Sequence, residues 1–163
     1  PMMGSTDRGN NSWGMKTIDQ TMPRAAIRSF LYPEDLSGVL ELWGNAGPGV
    51  HLGRSDTPEE IHKKLAHDPD LFLVAEQEGR LVGAVLGGFD GRRGMVYHLA
   101  VASEQRRQGL GEALMQAVEA RLREKGCLRY YLLVTQDNES AMKFYEQRGH
   151  DRLPLHIYAR DLT

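Results

Sequence analysis

Leu99-Ala100-Val101-Ala102-Ser103-Glu104-Gln105-Arg106-Arg107-Gln108-Gly109-Leu110-Gly111 is an apolar run that passes through a basic, glycine-containing turn into an amphipathic stretch. A strand that enters a helix through such a turn makes a polyphosphate cradle. Two glycines one residue apart let the main chain approach a ligand without Cβ interference. The first amides of the helix have no intrahelical partner and can donate to phosphate oxygens, and the helix dipole and the arginines favour a pyrophosphate there. The predicted helix, about Gly109 to Lys125, gathers Leu110, Leu114, Val118 and Leu122 into one stripe with Ala113 and Ala117 beside it. Glu119 and Arg123 pair on its wet face, and Gly126 caps its end.

Two familiar phosphate ligands do not suit this turn. A P-loop needs Lys followed by Ser or Thr after its last glycine, where this chain has Glu112-Ala113. A dinucleotide fingerprint asks for a small residue three positions after Gly111 and an acidic one further on, and the chain offers Leu114 and Tyr130-Tyr131. What remains is the pattern R/Q-x-x-G-x-G/A over Arg106 to Gly111. A second block follows at Asn138-Glu139-Ser140-Ala141-Met142-Lys143-Phe144-Tyr145-Glu146-Gln147-Arg148-Gly149, of the form N-x-x-A-x-x-F-Y-x-x-x-G. With both blocks in this order, the chain resembles the GNAT superfamily of N-acetyltransferases from about Ile27 to about Asp161. The middle, Leu71 to Glu76 through Gly87-Gly88-Phe89-Asp90-Gly91, looks particularly like a small bacterial branch of it.

The resemblance implies an α/β (α+β) fold, a mixed, mostly antiparallel central sheet with helices on both faces, and acetyl-CoA as cosubstrate without a metal. Arg106, Arg107, Gln108, Gly109, Leu110, Gly111 and Glu112 would hold the pyrophosphate. The strand before the cradle and the strand after the helix would splay, and the pantetheine arm would bond to the main chain of Leu99 and Val101. Tyr145 would return a proton to the departing thiolate, and a phenol, neutral beforehand, suits that task. Asn138 lies seven residues earlier, two helical turns away on the same face, and would both cap the helix and contact the pantetheine arm.

An ammonium acceptor must lose a proton before it attacks a thioester. Several family members place a carboxylate or histidine near the start of the strand that leads into the cradle. This chain has Met95 there, with Tyr97 and His98 further on, so His98 is the candidate base, against the plainer reading of a satisfied histidine beside the sheet. Another acidic position of the family is occupied by Leu133, which favours deprotonation through water. Asp90 reads either as a contact for a cationic acceptor or as an ordinary Asp-Gly turn residue. The loop Gly44 to Asp56, with Gly47-Pro48-Gly49, His51 and Arg54, is expected to be mobile, and Trp43 to wall the acceptor pocket.

The expected reaction is direct attack of a primary amine on acetyl-CoA. Alternatives are acetylation of a protein N-terminus of the ribosomal type, for which the acid missing at Leu133 counts against, and a non-catalytic acyl-CoA-binding module, for which Tyr145 does. The expected partner is a small-molecule amine or peptide N-terminus. Twenty basic residues stand against 22 acidic ones for a net charge of −2, and the basic residues are scattered, which argues against nucleic acid. No apolar run suits a membrane span, and the lone Cys127, read as a half-buried small residue, makes no internal disulfide, so a cytoplasmic protein is expected.

With 163 residues the chain reads as one domain over 23–163, preceded by a Gly, Ser, Asn and Met-rich tail over 1–22. Either a neighbouring subunit, as in a homodimer, or a packing contact would have to hold that tail. The predicted elements are a strand at Ala25–Phe30, a helix from near Pro33 and a helix from Thr57-Pro58-Glu59-Glu60. Strands follow at Leu71–Glu76, Leu81–Leu86 and Met95–Val101, then the long helix, a strand at Tyr130–Thr135, a helix from Asn138 to Gly149 and a last strand at Leu155–Ala159.

Overall fold

The computed structural model describes residues 24–162, and the predicted tail lies outside the described residues. The chain runs β1 (Ala26–Ser29), α1 (Leu36–Gly44), α2 (Pro58–His67), β2 (Phe72–Gln77), β3 (Arg80–Phe89), β4 (Gly94–Val101), α3 (Leu110–Glu124), β5 (Tyr130–Leu132) and α4 (Glu139–Gln147). Single 3-10 turns stand at Gly47–Gly49, Arg54–Asp56 and Ser103–Gln105. The five strands lie in chain order; the first three pairings are antiparallel and β4–β5 is parallel. Helix α3 makes the crossover that a parallel pair requires.

The period of two along β2 explains why both faces are covered. Phe72 and Val74 point to one core with Phe30, Val39, Leu42, Trp43 and Ile61, under α1 and α2. Leu71, Leu73 and Ala75 point to the other, against Leu114, Met115, Val118 and Leu122 of α3. Glycines of β3 set how closely α3 approaches: a Cβ on Gly83 would stand 2.8 Å from Leu114 Cδ1, and one on Gly87 2.8 Å from Val118 Cγ2. Leu114 is fully buried at that seam. Its replacement by alanine should cost about 2–5 kcal/mol in chemical denaturation; a loss under about 1 kcal/mol would show that the seam is not tightly packed.

Four elements differ from expectation by more than two residues, and the first is β3, which runs on to Phe89, three residues past the expected Leu86. Helix α1 begins at Leu36, because Asp35 is committed elsewhere: its carboxylate accepts from Leu31 N at 2.8 Å and from the Arg28 guanidinium at 2.6 and 3.0 Å. The Arg28 contact holds that carboxyl below the usual range, and Arg28 also grips Glu76 of β2. Strand β5 stops at Leu132, three residues early. The last predicted strand does not form. Residues 151–162 are exposed, and Leu155 N bonds only to nearby Leu153 O. A cleft of about 1160 Å³ separates the segment from β5. Alternating Leu155 and Ile157 supply a strand's face, but a strand also needs a paired edge within about 5 Å. Cys127 packs half-buried beside the α3 core, as expected of a small apolar residue.

Candidate active site

Strands β4 and β5 pair only from Gly94↔Tyr130 to Val96↔Leu132, while β4 continues to Val101. Beyond Val96 no strand of the described residues pairs with its β5-facing edge. In the same stretch β4 carries one residue more than β3, since Leu86 faces Tyr97 and Ala84 faces Ala100. The extra residue makes a bulge around His98 and Leu99, and His98 takes a φ of +33°, outside the region that side chains favour. Leu99 and Val101 pack their side chains toward the α3 core, which leaves their main chain to the groove.

The turn after β4 puts Arg107 at φ +61° and Gly109 at φ +81°. These left-handed residues turn the peptide groups outward. No amide from Arg107 through Glu112 makes a well-aligned hydrogen bond to the main chain of the described residues, although residues 106–109 form a turn, and the first bond of α3 runs from Ala113 N to Gly109 O. Amides without a well-aligned partner at a helix start are able to donate to an anion. Arg107 and Gln108 are exposed beside them. Arg106 is turned back: its Nε donates to Val101 O and its guanidinium to Ala46 O, both at 3.3 Å.

Helix α4 places Asn138 and Tyr145. Asn138 Oδ1 accepts from Ala141 N at 3.1 Å, the expected cap. Its Nδ2 lies so close to the loop after α1 that a Cβ on Gly49 would meet it at 3.0 Å. The Tyr145 ring packs edge-on against Phe144 and His150, and its hydroxyl makes no hydrogen bond to the described residues. Tyr145 lines the cleft beside Leu132 to Gln136. Burial pushes its phenol up to about 12, with Arg148 opposing, so the proton is held more firmly than in an ordinary tyrosine.

The face opposite α3 brings Trp43 and His98 together at 4.9 Å between ring centres, edge to face. His98 Nε2 lies 2.7 Å from Asp56 Oδ1, and Asp56 Oδ2 accepts from Gly53 N at 2.7 Å. The loop after α1 makes hydrogen bonds to β4 and the turn that follows it through Ala46 O and Asp56. Asp90 is not part of this assembly. Its Oδ1 accepts from Arg92 N and Arg93 N, the two amides holding the carboxyl below its usual range, Arg93 the more. The β3–β4 turn that holds it ends at Arg93, five residues before His98, roughly 16 Å along the strand. Asp90 is therefore held through Oδ1 by its own turn. Leu133 is exposed.

Sequence reading missed two groups. Asp56 is 42 residues from His98, beyond any local pattern. Arg148 of the second block docks α4 on α3 through Glu112 and Glu119, the latter at 2.9 Å, so the Glu112 side chain is drawn off the cradle. Tyr130 completes that network, 2.6 Å from Glu119 and 2.5 Å from His150. The i to i+7 spacing of Glu112 and Glu119 along one helix face was the only sequence signal for it.

The fold and these amides define an α/β protein whose third helix starts at the open end of a splayed strand pair. The chain belongs to the acetyltransferase (GNAT) family, whose model matches residues 37–150. It is 40% identical over 114 residues to an acetyltransferase of Pectobacterium atrosepticum, covering 70% of this chain and 79% of that one. An acetyltransferase of Sodalis glossinidius is 39% identical over 121 residues, covering 74% and 83%. Among solved structures, Ard1 from Thermoplasma volcanium is 28% identical with a TM-score of 0.68, covering 78% of this chain and 82% of that one. AAC(6')-Iy in complex with a CoA-containing bisubstrate analogue is 18% identical, also with a TM-score of 0.68, covering 86% and 100%, a likeness of fold. The protein is a GNAT acetyltransferase of mixed α/β fold. No helix among the described residues is long and apolar enough to cross a membrane.

Proposed function

We propose that this protein transfers the acetyl group of acetyl-CoA to a primary amine by direct attack. The run of free amides from Arg107 to Glu112 at the end of a splayed strand carries the reading, because it suits a diphosphate at one end of a groove and a thioester tail along it. The diphosphate sits on those amides with Arg107 and Gln108 beside it. The pantetheine arm takes the main chain of Leu99 and Val101 and the free amide group of Asn138, and Arg106 releases Val101 O as it enters. The same arginine holds Ala46 O, so cofactor entry also loosens the loop next to the acceptor pocket.

Trp43, buried in the core under α1, backs the imidazole rather than lining the pocket, and His98 takes the acceptor's proton. The freed nitrogen lone pair attacks the thioester carbonyl, and the tetrahedral adduct expels the thiolate. Full transfer from a phenol near 12 to an ordinary thiolate is uphill, so Tyr145 acts by hydrogen-bonding the sulfur as charge develops, giving its proton as the sulfur leaves. It recovers a proton from the product nitrogen, and amide and free CoA result.

Thermal scanning with CoA tests the reading. At 100-fold excess over Kd the stabilisation should be about 2.7 kcal/mol. An unchanged melting temperature at millimolar CoA would end the proposal. Acetylation assays with peptides, polyamines and amino acids then decide between a small amine and a protein N-terminus as acceptor.

A further inference from the structure

We propose that Asp56 is a positioning residue for the transfer, holding His98 so that its Nδ1 receives the acceptor's proton; this rests on the acetyl-transfer reading above. The contact is short, 2.7 Å, and both side chains are largely shielded, 20% exposed for His98 and 10% for Asp56. A carboxylate only accepts, so the hydrogen between the two groups belongs to Nε2. Nδ1 makes no hydrogen bond to the described residues, so in the neutral ring its lone pair is open to a proton. Three elements impose this arrangement. The β4 bulge gives His98 a φ of +33°, Trp43 of α1 packs its edge against the imidazole, and Gly53 N holds the second carboxylate oxygen. A backbone strained in this way persists only when its surroundings over-determine it.

The proton balance is simple. An ammonium proton passes to Nδ1, the imidazolium so formed is stabilised by Asp56, and His98 later returns that proton to solvent. The half of the base that orients it therefore comes from the loop between α1 and α2, the loop that also borders the acceptor pocket. An acceptor that displaces this loop uncouples the base, whereas one that fits beneath it does not.

Asp56→Asn tests this, because asparagine is nearly isosteric and can keep a bond to both Gly53 N and His98. Its amide would donate to Nε2 and move the ring hydrogen to Nδ1. Long-range proton–nitrogen spectra of the imidazole should show an Nε2–H ring in the wild type and an Nδ1–H ring in the variant. With spermidine, lysine or a free-amine peptide, whichever the wild type acetylates, kcat should fall roughly 100-fold or more while CoA affinity stays unchanged. Asp56→Glu should recover part of the rate. An Nδ1–H ring in the wild type, or a full rate in Asp56→Asn, overturns the assignment and leaves a loop tether. The spectra need no acceptor, so this failure is separable from failure of the acetyl-transfer reading, which shows instead as absent CoA binding.

Discussion

Replacing Tyr145 by phenylalanine is expected to lower kcat by roughly 10²–10⁴-fold while leaving CoA affinity nearly unchanged. The ring keeps its edge contacts with Phe144 and His150, so the substitution removes one oxygen and little packing. Thiol release on acetyl transfer gives the rate, and calorimetry with CoA gives the affinity. Equal loss of both would mean that the hydroxyl serves binding alone, and an unchanged rate would remove Tyr145 from the chemistry. The same residue makes a prediction for pH. Because burial raises its phenol to about 12, the acid stays protonated through pH 10, and no loss of rate attributable to it should appear there. The unfolded chain ionises near 10 and the folded one near 12, so Tyr145 favours the folded state fully below 10, and that contribution declines between these values.

The second large effect is expected at the cradle. Gly109 holds a φ of +81°, and a Cβ there meets open space, so Gly109→Val is opposed by backbone conformation rather than by a clash. A side chain in the left-handed region costs roughly 1–2 kcal/mol, more when β-branched. The chain relieves that strain by rotating the peptides that aim the amides. Loss of one or two charge-assisted bonds, at about 1.5–3 kcal/mol each, should weaken CoA binding at least tenfold. Gly91→Val is the control: its φ is +93°, its Cβ also meets open space, and it sits in the β3–β4 turn away from the cradle. It should reduce stability to a similar degree without changing CoA affinity. Equal affinities for the two variants would show that the free amides do not hold the diphosphate.

How far the sequence reached can be judged from particular residues. The stripe Leu114, Val118, Leu122, the alternation through Leu71 to Ala75 and the cap at Asn138 are local patterns with one physical solution each, and all three stand where expected. The strand-turn-helix passage through Gly109 was legible for the same reason: glycine spacing and element order act over a dozen residues. Leu155 and Ile157 show where such reasoning stops. Alternation states which side of a strand is apolar, yet whether a strand exists depends on a partner edge, and across the cleft from β5 none is engaged.

The sequence by itself determined the two-faced sheet, the strand-turn-helix passage through Gly109 and the family block that contains Tyr145, because periodicity, backbone freedom at glycine and helix-end chemistry are properties of neighbouring residues. Only the tertiary structure decided that Asp56 meets His98, that Arg148 draws Glu112 off the cradle, that Arg106 turns back to Val101 and that Asp90 serves its own turn. These contacts depend on how a bulge re-aims one strand and on which loops the packing of α1, α3 and α4 brings within hydrogen-bonding distance.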